Sequence, residues 1–355
     1  MKISLITDQH FGARNDSIVF LDYYERFYRD VFFPKIDAES ISKVLILGDT
    51  FDRRKYINFF SLKRTKEMFF DPLEQRGIEV IMLIGNHDVF YKNTNDVNSV
   101  SLMLNEYKNI TIINSPTTMN IAGTDICFIP WICDDNREAC FEEIRNTRAS
   151  VCAGHLEIAG FSMYPGAPSF DGLDRTIFQK FSKTFSGHYH HKSSSDNITY
   201  LGNPYELTWM DHDDPRGFHL FDTETYDLEF VQNTNIMFHR VIYDDKKETI
   251  SQIMNKNMPY ANNYVKVVVL NKSNPMLFDK FMNNLYNINP VDITVVEDFT
   301  DYSEGIDEDM VDQSESTINI INKYVDNMKV QGIDNTKFKS LLQEIYVESL
   351  YQEHA

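Results

Sequence analysis

The sequence predicts an α/β fold, and three observations carry that prediction. Short apolar runs alternate with longer amphipathic ones over roughly the first 200 residues, the pattern of strands separated by helices. Five of those runs end in loops bearing Asp, Asn or His side chains. The chain has 355 residues, 42% hydrophobic and 25% charged, enough for one large domain with a sizeable core plus smaller appendages.

The strands expected in order are "KISLIT", "KVLIL", "EVIMLI", "ITIIN", "DICFIP", "ASVCA" and "KTFSG". Amphipathic stretches between them predict helices over residues 18–31, 58–76, 95–107 and 136–147. "NITYLGNPYELTW" and "RGFHLFDTETYDLEFVQ" read as β-rich, with hairpin chemistry at "DTET". A small separate α/β unit follows, built from strand "VKVVVL", a helix over Pro275–Asn287 and strand "VDITVV". Residues 297–315 carry nine acids and no base, the composition of a linker. Two helices, over residues 316–329 and 335–352, close the chain. The domains expected are therefore 1–243, a capping unit 244–296, the acidic linker 297–315 and a helical segment 316–355.

Formal net charge is −19, which argues against a generic nucleic-acid coat protein. The linker supplies −9, and residues 316–355 hold four Lys against five acids, leaving −9 for residues 1–296. Charge of this kind does not exclude a nucleic-acid enzyme, because it can be segregated and metal binding neutralises part of it. No stretch approaches the roughly 20 apolar residues that span a bilayer, so no membrane partner is expected. The start, "MKISLITDQHFG", does not read as a signal peptide. Cys127, Cys133, Cys140 and Cys152 show no C-x-x-C pairing and suit reduced thiols in a cytosolic compartment, with Cys127 and Cys152 in strand core.

The polar strand ends are the informative feature. "KISLIT" is followed by Asp8-Gln9-His10, and "KVLIL" by Gly48-Asp49-Thr50-Phe51-Asp52. "EVIMLI" leads into Gly85-Asn86-His87-Asp88, "SVCA" into Gly154-His155, and "KTFS" into Gly187-His188-Tyr189-His190. Any one of these would serve as an ordinary turn, since Gly, Asn and Asp favour turns. Five in this order, each behind a strand, place ligands where open α/β sheets gather them, at the carboxyl ends of strands. The glycines allow tight turns and close approach. Carboxylate, imidazole and amide donors suit Mn²⁺, Fe²⁺ or Zn²⁺, and two ions about 3.5–4 Å apart can clamp a phosphate and activate water. Asp49 is the natural bridge between them.

The set D-x-H, G-D-x-x-D, G-N-H-D, G-H and G-H-x-H resembles the calcineurin-like metallophosphoesterases. Within them "GDTFDRR", "LIGNHD", "FIPW" and "SGHYHHKSSSDNITYLGNP…DDPRGF" are similar to the double-strand-break repair nucleases of the SbcD type, nearest to the recombination endonuclease subunits of tailed phages. The resemblance covers residues 1 to about 243 by motif and the remainder by arrangement. It implies a four-layer α-β-β-α sandwich with a small α/β cap and C-terminal helices. It also implies one metal on Asp8, His10, Asp49 and His190, and a second on Asp49, Asn86, His155 and His188. His87 would contact the scissile phosphate and protonate or stabilise the leaving oxygen, and Asp52 would orient His87. Arg53 and Arg54 would hold phosphate. His191 matches no family position and is expected outside the ligand shell or facing solvent.

The function so implied is a two-metal DNA exonuclease and endonuclease of recombination, repair and replication. Its ions would be manganese first, with magnesium as the other candidate, and its partners DNA and an SMC-like ATPase. Phe338, Leu341, Leu342, Ile345, Tyr346 and Leu350 follow i, i+3, i+4 spacing and would dock on that ATPase. The resemblance also implies a homodimer through the helices flanking "GNHD", and a cytoplasmic location, that of the host if the chain is phage-encoded. Two other readings remain open on sequence: a metallophosphatase or small-nucleotide phosphodiesterase, and a non-catalytic scaffold that positions the ATPase on DNA. Phosphoprotein phosphatases expect Gly where Arg54 stands and Glu where Asp88 stands.

Overall fold

The computed structural model describes residues 1–297, apart from 165, 166, 255, 257 and 258 and the side chains of 163, 164, 167 and 168. The acidic linker beyond residue 297 and the C-terminal helices, with Phe338, Leu341, Leu342, Ile345 and Leu350, lie outside the described residues.

Two six-stranded sheets stack face to face. The first contains β1 (Lys2–Ile6), β2 (Lys43–Ile46), β3 (Glu79–Leu83) and β4 (Ile110–Ile113), all parallel in that order. It is extended beside β1 by antiparallel β13 (Gly217–Asp222) and then β14 (Leu228–Gln232). The second contains β5 (Thr117–Ile121), β6 (Thr124–Ile129), β7 (Val151–His155), β10 (Lys183–Gly187), β12 (Ile198–Tyr200) and β11 (Ser193–Ser195) in spatial order, with β6, β7, β10 and β12 parallel. A short pair, β8 (Ser162–Tyr164) and β9 (Ala167–Pro168), stands apart.

Pairing register sorts the side chains into layers. Leu5, Leu45 and Ile81 lie in one row of the first sheet, and Phe128, Ala153 and Phe185 in one row of the second. Together they form the buried seam between the sheets. The alternate residues Ile6, Val44, Ile46, Val80 and Met82 face outward onto helices rich in aromatics. On the far side Cys127 and Cys152 sit opposite one another in register, free and buried beneath Ile144 of the helix Arg137–Asn146. The α-β-β-α layering is thus built from strands covered on both faces, which is why they read as continuous apolar runs.

The helices depart from expectation in three ways. The first begins at Ile18 but passes through a π-helical turn, Tyr28–Phe32, into a further segment Phe33–Ala38. Pro34 sits in the first turn of that segment, where its missing N–H costs little, so it does not stop the chain at residue 31. The second runs from Phe59 to Gln75, again with a π turn, and is capped by Asn58, whose side chain accepts from Phe60 and Ser61. The third shrinks to Ser99–Met103, because Asn98 is its cap and Asn95 is committed to the carbonyl of Trp131.

A third sheet holds β15 (Phe238–Asp244), β16 (Tyr264–Asn271) and β17 (Asp292–Val296), all parallel, with the helix Pro275–Asn287 packed on it. Its first strand is the stretch that sequence placed at the end of the preceding domain. No described helix is long and apolar enough to cross a membrane.

Candidate active site

The carboxyl ends of β1, β2 and β3 in one sheet and of β7 and β10 in the other converge on one rim. The loops after β1 and β2 are zipped together by main-chain bonds from Asp8 to Gly48, His10 to Asp49 and Phe11 to Thr50. Asp8, His10, Asp49 and His188 all adopt positive φ, at 51°, 45°, 49° and 88°. Left-handed backbone at non-glycine residues is strained, and four instances at one rim mark a place where neighbouring structure holds side chains against their preference.

Two glycines are required by packing. A Cβ on Gly85 would lie 2.1 Å from Asp49 Oδ1 and 2.3 Å from the Asp49 nitrogen, and one on Gly187 would lie 2.1 Å from Thr7 Oγ1. Both strands therefore press their backbones directly against the carboxylate loops.

The side chains fall into two clusters sharing Asp49. In the first, Asp8, His10 and His190 offer donor atoms within 4.8 Å of one another, with His10 Nε2 3.0 Å from His190 Nε2 and 3.8 Å from Asp49 Oδ2. In the second, Asn86 Oδ1 lies 2.9 Å from both His155 Nε2 and His188 Nδ1, and Asp49 Oδ2 lies 3.3 Å from His155 Nε2. Main-chain groups orient these donors. His188 N–H donates to Asp8, and His155 Nδ1 donates to the Leu47 carbonyl at 2.8 Å, which leaves Nε2 free to ligate.

Electrostatics show what the cluster lacks. Burial acts to lower His10, yet the Asp52 carboxylate and the charges of Asp49 and Asp8 raise it to about 9. Burial likewise opposes protonation of His155, but Asp49 raises it to about 9. Burial would lift Asp49, and the His155, His87 and His10 charges instead hold it well below the carboxylate range. His188 is pushed down to about 3 by burial and by His155. Buried acids thus draw two protons onto imidazoles whose nitrogens point into the clusters. The donor set fits two divalent cations, which would replace those protons.

His87 is held at both ends: its N–H donates to Asp49 Oδ1 at 2.8 Å, and its Nδ1 donates to the main-chain carbonyl of Asp52 at 2.6 Å. The expectation that the Asp52 carboxylate orients His87 is corrected here. That carboxylate turns the other way, 3.4 Å from His10 Nδ1, and reaches His87 only through its backbone.

The two arginines separate. Arg53 is tied to Asp16 at 3.5 Å, to Asn15 and to Tyr56, on the surface. Arg54 is half-buried, its Nη1 buried without a hydrogen-bond partner, and burial lowers its pKa while the Asp49 charge opposes that. His191 bonds Asp214 at 2.8 Å.

Three residues with structural parts in the site were not singled out from sequence. Asp88 accepts from the main-chain N–H groups of Thr50, Phe51 and Gly85, clamping the Asp49 loop to the Asn86 loop. Arg216 is buried, ion-paired to Asp211 and Asp214 at 2.8 and 2.7 Å, and donates to the His190 carbonyl. Trp131 sets its ring 5.2 Å from that of His188. The available signals were the "DDPRGF" and "FIPW" stretches already noted as family-like.

The family profile and a full-length relative agree with this geometry. The Calcineurin-like phosphoesterase family profile matches residues 1–192. Exonuclease subunit 1 of Enterobacteria phage T4 is 30% identical over 361 residues, covering 99% of each chain. Among solved structures, a novel archaeal phosphodiesterase overlaps 66% of this chain and 100% of its own, at 12% identity and a TM-score of 0.34. The chain belongs to the calcineurin-like phosphoesterase family and is a metal-dependent phosphoesterase.

Proposed function

We propose that the chain is a two-metal, manganese-type DNA nuclease subunit working with an SMC-like ATPase in recombination, repair and replication. The observation that carries the reading is the pair of donor clusters joined through Asp49, with His87 grouped with His10 and Asp49. Asp8, His10, Asp49 and His190 hold one ion; Asp49, Asn86, His155 and His188 hold the other. When bound, two such ions supply Lewis acidity for the phosphate and the attacking water. His87, with Nδ1–H given to the Asp52 carbonyl, presents Nε2 as the atom that stabilises or protonates the leaving oxygen. The Asp52 carboxylate, 3.4 Å from His10 Nδ1, favours the proton on that nitrogen electrostatically and leaves Nε2 as the ligating atom. Arg54, half-buried and unpaired at Nη1, takes a phosphate oxygen, and Arg53 contributes from the rim.

Nuclease activity, rather than monoester hydrolysis, is supported by the full-length similarity to a phage exonuclease subunit. The word subunit in that relative's name supports a partner for this chain as well, with residues 316–355 as the docking segment. A homodimer is supported by Phe59, Phe60 and Leu102, which are 84%, 48% and 63% exposed on the helices flanking "GNHD". The setting is the cytoplasm, that of the host if the chain is phage-encoded.

The test is incubation with end-labelled duplex DNA and Mn²⁺, with a phosphomonoester in parallel. Faster DNA cleavage is expected; preferential monoester turnover would favour the phosphatase reading.

A further inference from the structure

We propose that Trp131 and the cleft beside it form a stacking seat for one nucleobase of the strand being cleaved, next to the His155–His188 donor pair. The inference rests on the nuclease reading and adds to it a positioning element that acts on bases, not on phosphates.

Trp131 is only partly buried although its backbone is fixed at three points. Its N–H donates to the Ile84 carbonyl at 2.8 Å, and its carbonyl accepts from the Asn95 and Asn136 amides at 2.9 Å each. Ile84 follows β3 directly and leads into Gly85-Asn86-His87, so the ring is anchored to the same loop as the donor atoms. A large aromatic surface left partly open, yet with its backbone held rigidly, costs little further entropy when a flat ligand covers it.

The cleft joins that ring to the metal clusters. It has a volume of about 180 Å³, and its walls include Trp131, Ile132, Leu156, Leu173 and His155, whose Nε2 belongs to the second cluster. This is smaller than the about 300–1,000 Å³ that suits drug-sized ligands, a size in keeping with one base. Arg137, at the same cleft, lies 5.2 Å over the Phe141 ring and makes no ion pair among the described residues. It suits the next phosphate of the strand. A phosphate held beside His155 and His188 would have its neighbouring base next to the Trp131 ring, whose centroid lies 5.2 Å from that of His188 and 6.1 Å from that of His155.

Base–aromatic stacking is worth about 5- to 150-fold per base. The full chain with Mn²⁺ is assayed on oligonucleotides carrying either normal bases or single abasic sites flanking the cleaved phosphate. Wild type is expected to prefer the normal strand by that factor. Trp131→Ala should bring the ratio close to one, and Trp131→Phe should restore most of it. Binding is read separately in a Trp209→Phe background, where Trp131 is the remaining tryptophan of two. There, deoxyadenosine monophosphate should quench emission and deoxyribose 5-phosphate should not. Equal loss by Trp131→Ala on both strands, or equal quenching by both ligands, would overturn the proposal. If wild type cleaves no DNA, the nuclease reading falls, while the quenching comparison still decides the seat.

Discussion

Replacing Asp88 by alanine tests whether the site is held by its loops or by its ligands. The carboxylate accepts three main-chain N–H groups, from Thr50 and Phe51 at 3.1 Å and from Gly85 at 2.9 Å, with no exposure to solvent. A buried donor left unsatisfied costs about 1–3 kcal/mol, so three would cost about 3–9 kcal/mol. Two effects move the expectation to the lower end. Water can enter the vacated polar space, and the ionised carboxylate is itself disfavoured, since burial and the Asp49 charge push it up to about 7. We expect a loss of about 3 kcal/mol at pH 8, or about 6–12 °C in Tm, by calorimetry of chelator-treated protein. The raised pKa makes the gap pH-dependent. Asp88 contributes most below its unfolded pKa near 4, and that contribution is lost as pH rises through 7. The difference between wild type and variant should therefore widen by about 3 kcal/mol at pH 5. Affinity for Mn²⁺ should also fall at least about tenfold, because the Asp49 and Asn86 loops are no longer joined. A Tm within about 2 °C of wild type at both pH values, with unchanged Mn²⁺ affinity, would refute the clamp.

Three further outcomes follow from the same geometry. His87→Ala should keep both ions, measured by elemental analysis, and lose about 10²–10⁴-fold in phosphodiester hydrolysis; loss of metal instead would make His87 a ligand, a role its grouping with His10 and Asp49 permits. Gly85→Ala drives a Cβ to 2.1 Å from Asp49 Oδ1, so Mn²⁺ binding by calorimetry should collapse even where the protein still melts cooperatively; wild-type affinity would show that the loop can yield. His10 and His155, raised to about 9 in the metal-free protein, stabilise it below their unfolded pKa near 6.5 and lose that contribution toward pH 9. Mn²⁺ must displace their protons, so its affinity should rise between pH 7 and 9 by up to about tenfold per unit for each proton released, and a flat profile would contradict that.

The layered sheets were legible because parallel strands buried on both faces leave unbroken apolar runs, and the donors were legible because each follows its strand within a few residues. What escaped depends on partners distant in sequence. The stretch Gly85-Asn86-His87-Asp88 shows why. Its four residues do four different things, although turn chemistry alone would favour three of them. Gly85 lets the backbone touch Asp49, Asn86 turns its oxygen to two imidazoles, and His87 gathers with His10 and Asp49. Asp88 turns back to bind main-chain donors 37 and 38 residues earlier. Nothing local distinguishes a carboxylate that meets a cation from one that meets N–H groups, since both need buried positive charge or its partial equivalent. The same ambiguity explains Asp52, where carboxylate and carbonyl serve different histidines, and the Arg53–Arg54 pair, where one backbone step separates a surface ion pair from a half-buried cation. It follows that substitutions at Asp49 and Asp88 should be separable by metal alone. Removing the ions should narrow the stability difference between wild type and Asp49→Ala, whose partner they are, most of all, and narrow that for Asp88→Ala only by what its weaker Mn²⁺ binding adds, because its three donors belong to the chain.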